Sequence, residues 1–283
     1  MNEAVFGPAG NSDSFKERYK LFSDIPEYVE DMGLDVFEYQ FGRGVRMSTV
    51  NAAVLKEEAK TRNISFSAHA PYYITLSSED EEKRLNSIRY ILESAKAVTE
   101  MGGNRIIVHS GSVGKRTRKE ALLLAKDTVS LSIKALDEAG FTNVIVCPET
   151  MGKIGQLGDL DEVMELCSVD ERIIPCIDFG HLNARTGGGI KDKDDYLSIF
   201  KSVEKAVGSD RLRVFHIHFS KIEFTAGGEK AHLTLADNEY GPEPEPLLEL
   251  IAKKKLTPWI ICESDGTQAE DALVMKRIYQ SFL

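Results

Sequence analysis

The sequence has no apolar run near the ~20 residues that span a bilayer, so no transmembrane helix is expected. Its first ten residues, MNEAVFGPAG, lack the basic start and apolar stretch of a signal peptide, and a cytoplasmic protein is expected. Cysteine is sparse. Cys147, Cys167, Cys176 and Cys262 lie far apart without CxxC spacing, and three of them sit in apolar runs that read as strands, so buried free thiols are expected. Positive charge is also short: 35 Lys and Arg against 45 Asp and Glu leave a net −10, which opposes nonspecific binding to a polyanion but says little about one face. No composition shift, Ser/Gly linker or low-complexity tract divides the chain, so one domain over residues 1–283 is expected.

What is present is an alternation. Eight short apolar runs, AVFG, DVFEYQ, ISFSAH, RIIVHS, NVIVCPE, IIPCIDF, RVFHIHF and WIICES, read as strands. Between them, Leu85, Ile88, Leu92, Ala95, Val98 and then Leu122, Ala125, Val129, Ile133, Leu136 keep the three-and-four spacing of helices with one buried face. Gly140 follows the second set where a C-cap glycine belongs. Strand then helix, repeated eight times, predicts an α/β fold: a parallel (β/α)8 TIM barrel.

Such a barrel delivers all strand C-termini to one face, where active sites of this fold are built. All six histidines, His69, His109, His181, His216, His218 and His232, fall at or just beyond predicted strand ends, and none is expected on a helix. Glu38, Glu149, Asp178 and Glu263 join them at the ends of strands two, five, six and eight. Period-two alternation points these side chains inward. A lone His or Glu at a strand end is usually only hydrogen-bonded or solvated. Many converging carboxylates and imidazoles, however, repel and desolvate one another unless cations neutralise them. Imidazole mixed with carboxylate and no thiolate suits zinc, manganese or iron, and the share of His favours zinc. His216 shares a face with His218 but lies deeper, so support of a ligand is expected of it. Asp178 is expected to point inward while the chain turns through Phe179 and Gly180 to bring His181 over the same rim.

These segments resemble the endonuclease IV family of apurinic/apyrimidinic endonucleases (family 2), within the xylose isomerase-like TIM barrels. FSAHAPYYITL, IIVHSGS, VCPETMGK, IDFGH, IHFSK and ICES are similar to its ligand-bearing segments over nearly the whole chain. The resemblance implies two or three zinc ions, with manganese as the alternative. One would be held by His69, His109 and Glu149, a second by Glu149, Asp178, His218 and Glu263, and a third by His181 and His232. It further implies hydrolysis of the phosphodiester 5′ to an abasic site in duplex DNA, with Glu149 and Glu263 as catalytic residues. Bound ions lower the pKa of water from ~15.7 to roughly 7 and clamp the phosphate, so no protein nucleophile is needed. One departure stands out: where the family has Asp-x-His, this sequence has Lys230-Ala231-His232, with Glu229 one position early. Either Glu229 substitutes as ligand, or the third ion is missing and Lys230 faces the phosphate.

For DNA, the resemblance assigns Tyr72 and Tyr73 to insertion beside the flipped-out nucleotide. Arg43, Arg46, Lys115, Arg116, Arg118, Lys119, Lys153, Arg185 and Lys221 on loops of the same face are candidates for a phosphate track. A monomer is expected. Two other readings stand beside this one. A sugar isomerase or epimerase of the same superfamily would use Glu149, Asp178, His218 and Glu263 around one divalent ion, with Glu149 and Glu263 as acid and base. It has no need of His69, His109, His181 and His232 together. A lesion-binding barrel without catalysis fits the altered third site.

Overall fold

Short runs of branched and aromatic residues form the strands, and the amphipathic stretches between them form the helices, over residues 3–283 of the computed structural model. The strands are β1 (Val5–Pro8), β2 (Val36–Gln40), β3 (Ser65–His69), β4 (Arg105–Val108), β5 (Ile145–Pro148), β6 (Cys176–Asp178), β7 (His216–Phe219), β8 (Lys221–Thr225), β9 (Gly228–Leu233) and β10 (Trp259–Cys262). The helices are α1 (Asp13–Arg18), α2 (Ile25–Asp31), α3 (Thr49–Arg62), α4 (Glu81–Glu100), α5 (Arg118–Glu138), α6 (Leu160–Cys167), α7 (Phe179–Arg185), α8 (Lys193–Arg213), α9 (Pro244–Lys254) and α10 (Gln268–Gln280). The eight predicted strands are β1 to β7 and β10, and they form the expected α/β TIM barrel.

The barrel consists of two four-stranded parallel ladders, β1-β10-β7-β6 and β2-β3-β4-β5. Single bridges join them, Ala9 to Glu38 at one seam and Glu149 to Cys176 at the other. At the first seam a side chain on residue 7 is impossible, because a Cβ there would lie 1.7 Å from the carbonyl oxygen of Val36. Gly7 therefore lets β1 and β2 meet.

Most of the apolar core lies between the helices and the outside of the barrel. Inside it, Val5, Ala9, Val36, Trp259 and Ile261 form a separate small cluster. Beside it the interior also holds polar side chains: Glu38, Ser67, Arg105, His216 and His218 are all buried. The Arg105 guanidinium sits 4.6 Å from the centre of the Trp259 ring, an arrangement that compensates part of its desolvation.

Three expectations need correction. The buried face of α4 is Ser87, Ile91, Ser94, Ala95 and Val98, while Leu85 is 54% exposed. Ser87 and Ser94 can occupy the core because their hydroxyls donate to the Lys83 and Tyr90 carbonyls of the same helix. His181 is on a helix, α7, which begins directly after β6. And β8–β9 is an antiparallel hairpin, whose first residue, Lys221, was expected on a loop. All four cysteines are buried and free, as expected, with Cys167 on α6 and the others on strands.

Candidate metal centre

Alternation along the strands sends His69, His109, Glu149, Asp178, His218 and Glu263 to the C-terminal mouth. Glu149 sits at their centre, and its two oxygens face different groups. Oε2 lies 3.3 Å from His69 Nε2 and 3.0 Å from His109 Nε2. Oε1 lies 3.0 Å from His218 Nδ1. His218 Nδ1 is in turn 3.4 Å from Glu263 Oε1. Donor atoms of His69, His109 and Glu149 lie within 4.8 Å of one another, as do those of Glu149, Asp178, His218 and Glu263, and those of His181, Glu229 and His232.

Asp178 has two tasks. Its Oδ1 accepts the His181 backbone N–H at 2.7 Å, which caps α7 and fixes where His181 points. Its Oδ2 is buried with no hydrogen-bond partner among the described residues and lies 3.2 Å from His181 Nδ1. Burial raises the Asp178 carboxyl to about 6, with Glu263 and Glu149 adding to the rise and His181 opposing it. Burial also works against the charge of Glu149, yet His218, His109 and His181 hold it well below the usual carboxylate range. Burial would lower His181, but Asp178 and Glu149 lift it to about 10. An orphaned buried carboxylate oxygen and imidazoles held protonated by carboxylates are what a cation site shows as bare side chains. The donor set fits zinc or manganese, and binding would release protons.

The histidine tautomers are set from behind. His69 Nδ1 donates to Ala70 O at 2.8 Å and His181 Nδ1 donates to Thr150 O at 2.9 Å, which leaves each Nε2 facing the cluster. His232 Nδ1 pairs with Ser220 Oγ at 2.8 Å.

Glu229, rather than Lys230, joins His181 and His232. Its Oε2 lies 3.4 Å from His181 Nε2, and its Oε1 lies 4.0 Å from His232 Nε2. Residues three apart on a regular strand face opposite ways. Here the ladder pairs Phe224 with Glu229 and Glu223 with Ala231, so Lys230 is the extra residue of a bulge and Glu229 turns to the face of His232. The hairpin is seated by Glu229 N–H on Gly152 O at 3.2 Å and Ile154 N–H on Gly227 O at 3.1 Å. Gly228, at φ +91°, passes so close that a Cβ there would lie 2.2 Å from Gly152 O.

Two candidates fall outside the mouth. Glu38 lies mid-strand, one layer below, against His216 and His218, and Gln40 occupies the end of β2. His216 lies beside it in the same deeper layer. Tyr72 lines the cavity of about 420 Å³ over the site, with its ring 5.5 Å from His69. Tyr73 instead lies 6.0 Å from Tyr90 of α4.

The basic loop residues divide in the same way. Arg116 donates to Ser77 O. Arg118 grips Glu162 through two 2.6 Å bonds. Arg185 donates to the Met151 and Lys153 carbonyls. Lys221 is buried on Glu243 at 2.6 Å, and Lys230 is paired with Glu223 at 2.6 Å. These contacts commit them to loop structure. Lys153 lines the cavity, while Arg43 and Arg46 line a neighbouring groove; like Lys115, they have no ion pair among the described residues. Met151 and Gln156 also line the cavity, and Gln40, Asp265 and Gln268 line a lobe beside it, none of which the sequence singled out.

A family model described as a xylose isomerase-like TIM barrel matches residues 26–278. An uncharacterized protein of Methanocaldococcus jannaschii is 36% identical over 272 residues, 96% of either chain. A protein of Aquifex aeolicus named "Probable endonuclease 4" is 28% identical over 218 residues, 71% of this chain and 73% of its own. Among solved structures, endonuclease IV from Thermus thermophilus superposes with a TM-score of 0.68 at 19% identity, over 92% of this chain and 93% of that one. A D-tagatose 3-epimerase-like protein superposes with a TM-score of 0.70 at 18% identity, over 90% and 91%. The two superpositions speak for the fold, and the sequence matches speak for the lineage. This chain belongs to the xylose isomerase-like TIM barrels, and within them it is akin to the endonuclease 4 proteins.

Proposed function

We propose that the protein is a zinc-dependent endonuclease that cuts duplex DNA on the 5′ side of abasic sites. The observation that carries this reading is the division of Glu149, whose two oxygens serve two donor groups while a third group stands beside them. His69, His109 and Glu149 would hold one ion, and Glu149, Asp178, His218 and Glu263 a second. His181, Glu229 and His232 would hold a third. Ions bound there supply an activated water and neutralise a phosphate in an in-line displacement.

The chain's own contribution is geometry. Glu149 sets the spacing of the first two groups, and Asp178 ties the second to His181 through the α7 cap. Lys153 on the cavity wall offers a charge to the phosphate, and Tyr72 roofs the opening with an aromatic face on which a base can stack.

The test is nicking of a duplex with one synthetic abasic site, by protein of measured metal content. Cleavage on the 5′ side is expected. Glu149→Ala should reduce it by more than the roughly 10- to 100-fold that losing an outer partner of a ligand costs. Intact duplex in the presence of protein holding two or three ions would overturn the reading. The epimerase reading draws on the single group Glu149, Asp178, His218 and Glu263. Turnover of keto sugars by protein carrying one ion would support it.

A further inference from the structure

The ligand histidines are held from behind by different kinds of group. His69 and His181 donate to neutral backbone carbonyls, and His232 meets a serine hydroxyl. Behind His218 stands a carboxylate that belongs to none of the three donor groups: its Nε2 lies 3.0 Å from Glu38 Oε1, in close contact though off the line of a hydrogen bond, and both residues are fully buried. Only a proton-bearing nitrogen can sit that close to a buried carboxylate oxygen at low cost, because two facing lone pairs repel in a low-dielectric interior. Nδ1 lies equally close to Glu149 Oε1, so both nitrogens face carboxylates; an ion taking Nδ1 would displace the proton there, while Glu38 would keep the one on Nε2.

Glu38 is itself gripped. Ser67 Oγ donates to its Oε2 at 2.9 Å, and Gln40 Nε2 donates to its Oε1 at 3.3 Å. His216 Nε2 lies 3.1 Å from Oε2. Four side chains from β2, β3 and β7 thus surround one carboxylate that touches neither the cavity nor solvent. A packing role alone would be filled at lower cost by an apolar residue, since burying a charge is expensive.

We infer that Glu38 is a positioning residue of the metal centre: its carboxylate fixes the ring and tautomer of His218, so that Nδ1 is presented to Glu149 and Glu263. The inference rests on the metal part of the proposed function, not on the DNA substrate. It separates the ions by their ligands. Only the ion taking His218 depends on Glu38, while the one held through His69 and His109 does not.

The experiment is metal titration of the whole chain, by competition with a chromophoric zinc chelator and by the visible spectrum of the cobalt-substituted protein. In Glu38→Gln, one ion should weaken by about 10- to 100-fold and its share of the cobalt bands should change, with the others unaffected. Ser67→Ala, which removes a single bond to Glu38, should weaken the same ion by a smaller factor and decides the matter if Glu38→Gln does not fold. Wild-type affinity for every ion in a folded Glu38→Gln, or equal weakening of all ions, would falsify the role. Protein that binds its ions as expected yet leaves abasic DNA intact overturns the nuclease and leaves Glu38 in place.

Discussion

Tyr72 and Tyr73 are neighbours in sequence and are 58% and 54% exposed, but they face different surroundings. Tyr72 overhangs the histidines, whereas Tyr73 leans toward Tyr90 on the outside of α4. Tyr72→Ala should weaken binding to a duplex carrying an uncleavable abasic analogue by about 1 to 3 kcal/mol, the worth of one stacked base. Tyr73→Ala should leave it nearly unchanged. Anisotropy of a labelled duplex measures both, and equal losses would rule out this division. At this scale the sequence was informative wherever alternation applied: it placed His69, His109, Glu149, Asp178 and His218 on inward faces of strands. Depth was legible within a strand, where His216 was read as lying below His218, but not between strands. Glu38 shares the inward parity yet sits one layer down, because stagger between strands depends on barrel closure, which no local pattern encodes.

Among the elements, β8–β9 was the least legible. Its strands KIEFT and GEKAHL carry no clean apolar alternation, and the cue that remained was the turn Ala226-Gly227 before Gly228. The bulge inside β9 explains why a Lys stands where a carboxylate was expected: one extra residue displaces Glu229 in sequence, and the bulge returns it in space. Deleting Lys230 should then be tolerated, because Glu229 and His232 become two apart on a regular ladder and keep one face. The deletion variant should retain its full complement of zinc, while Glu229→Ala should lose one ion. Metal analysis after dialysis checks this, and loss of an ion from the deletion variant would rule out the bulge account. The α4 stripe was misread for a simpler reason: serines that bond back to their own helix pass as core residues, and periodicity of apolar residues does not count them.

For the whole molecule, the (β/α)8 repeat was plain from the sequence, but the reach of its positive charge was overestimated. Arg116, Arg118, Arg185 and Lys221 are tied to carbonyls and carboxylates of the loops. That leaves Arg43, Arg46, Lys115, Lys153 and Lys119, the last exposed on the first turn of α5, on a chain of net charge −10. With at most these five phosphate contacts, the slope of log affinity against log salt should be no steeper than about −5. A titration of duplex binding over salt concentration tests it, and a slope near −8 would require cations elsewhere. The two seams bear on the same mouth. The backbone closes the barrel with one bridge on each side, and His69, His109 and Glu149 stand on one half while Asp178, His218 and Glu263 stand on the other. An ion shared between Glu149 and the opposite half would be a clasp across the join, so the proposed chemistry would fasten the barrel where its ladder is sparsest.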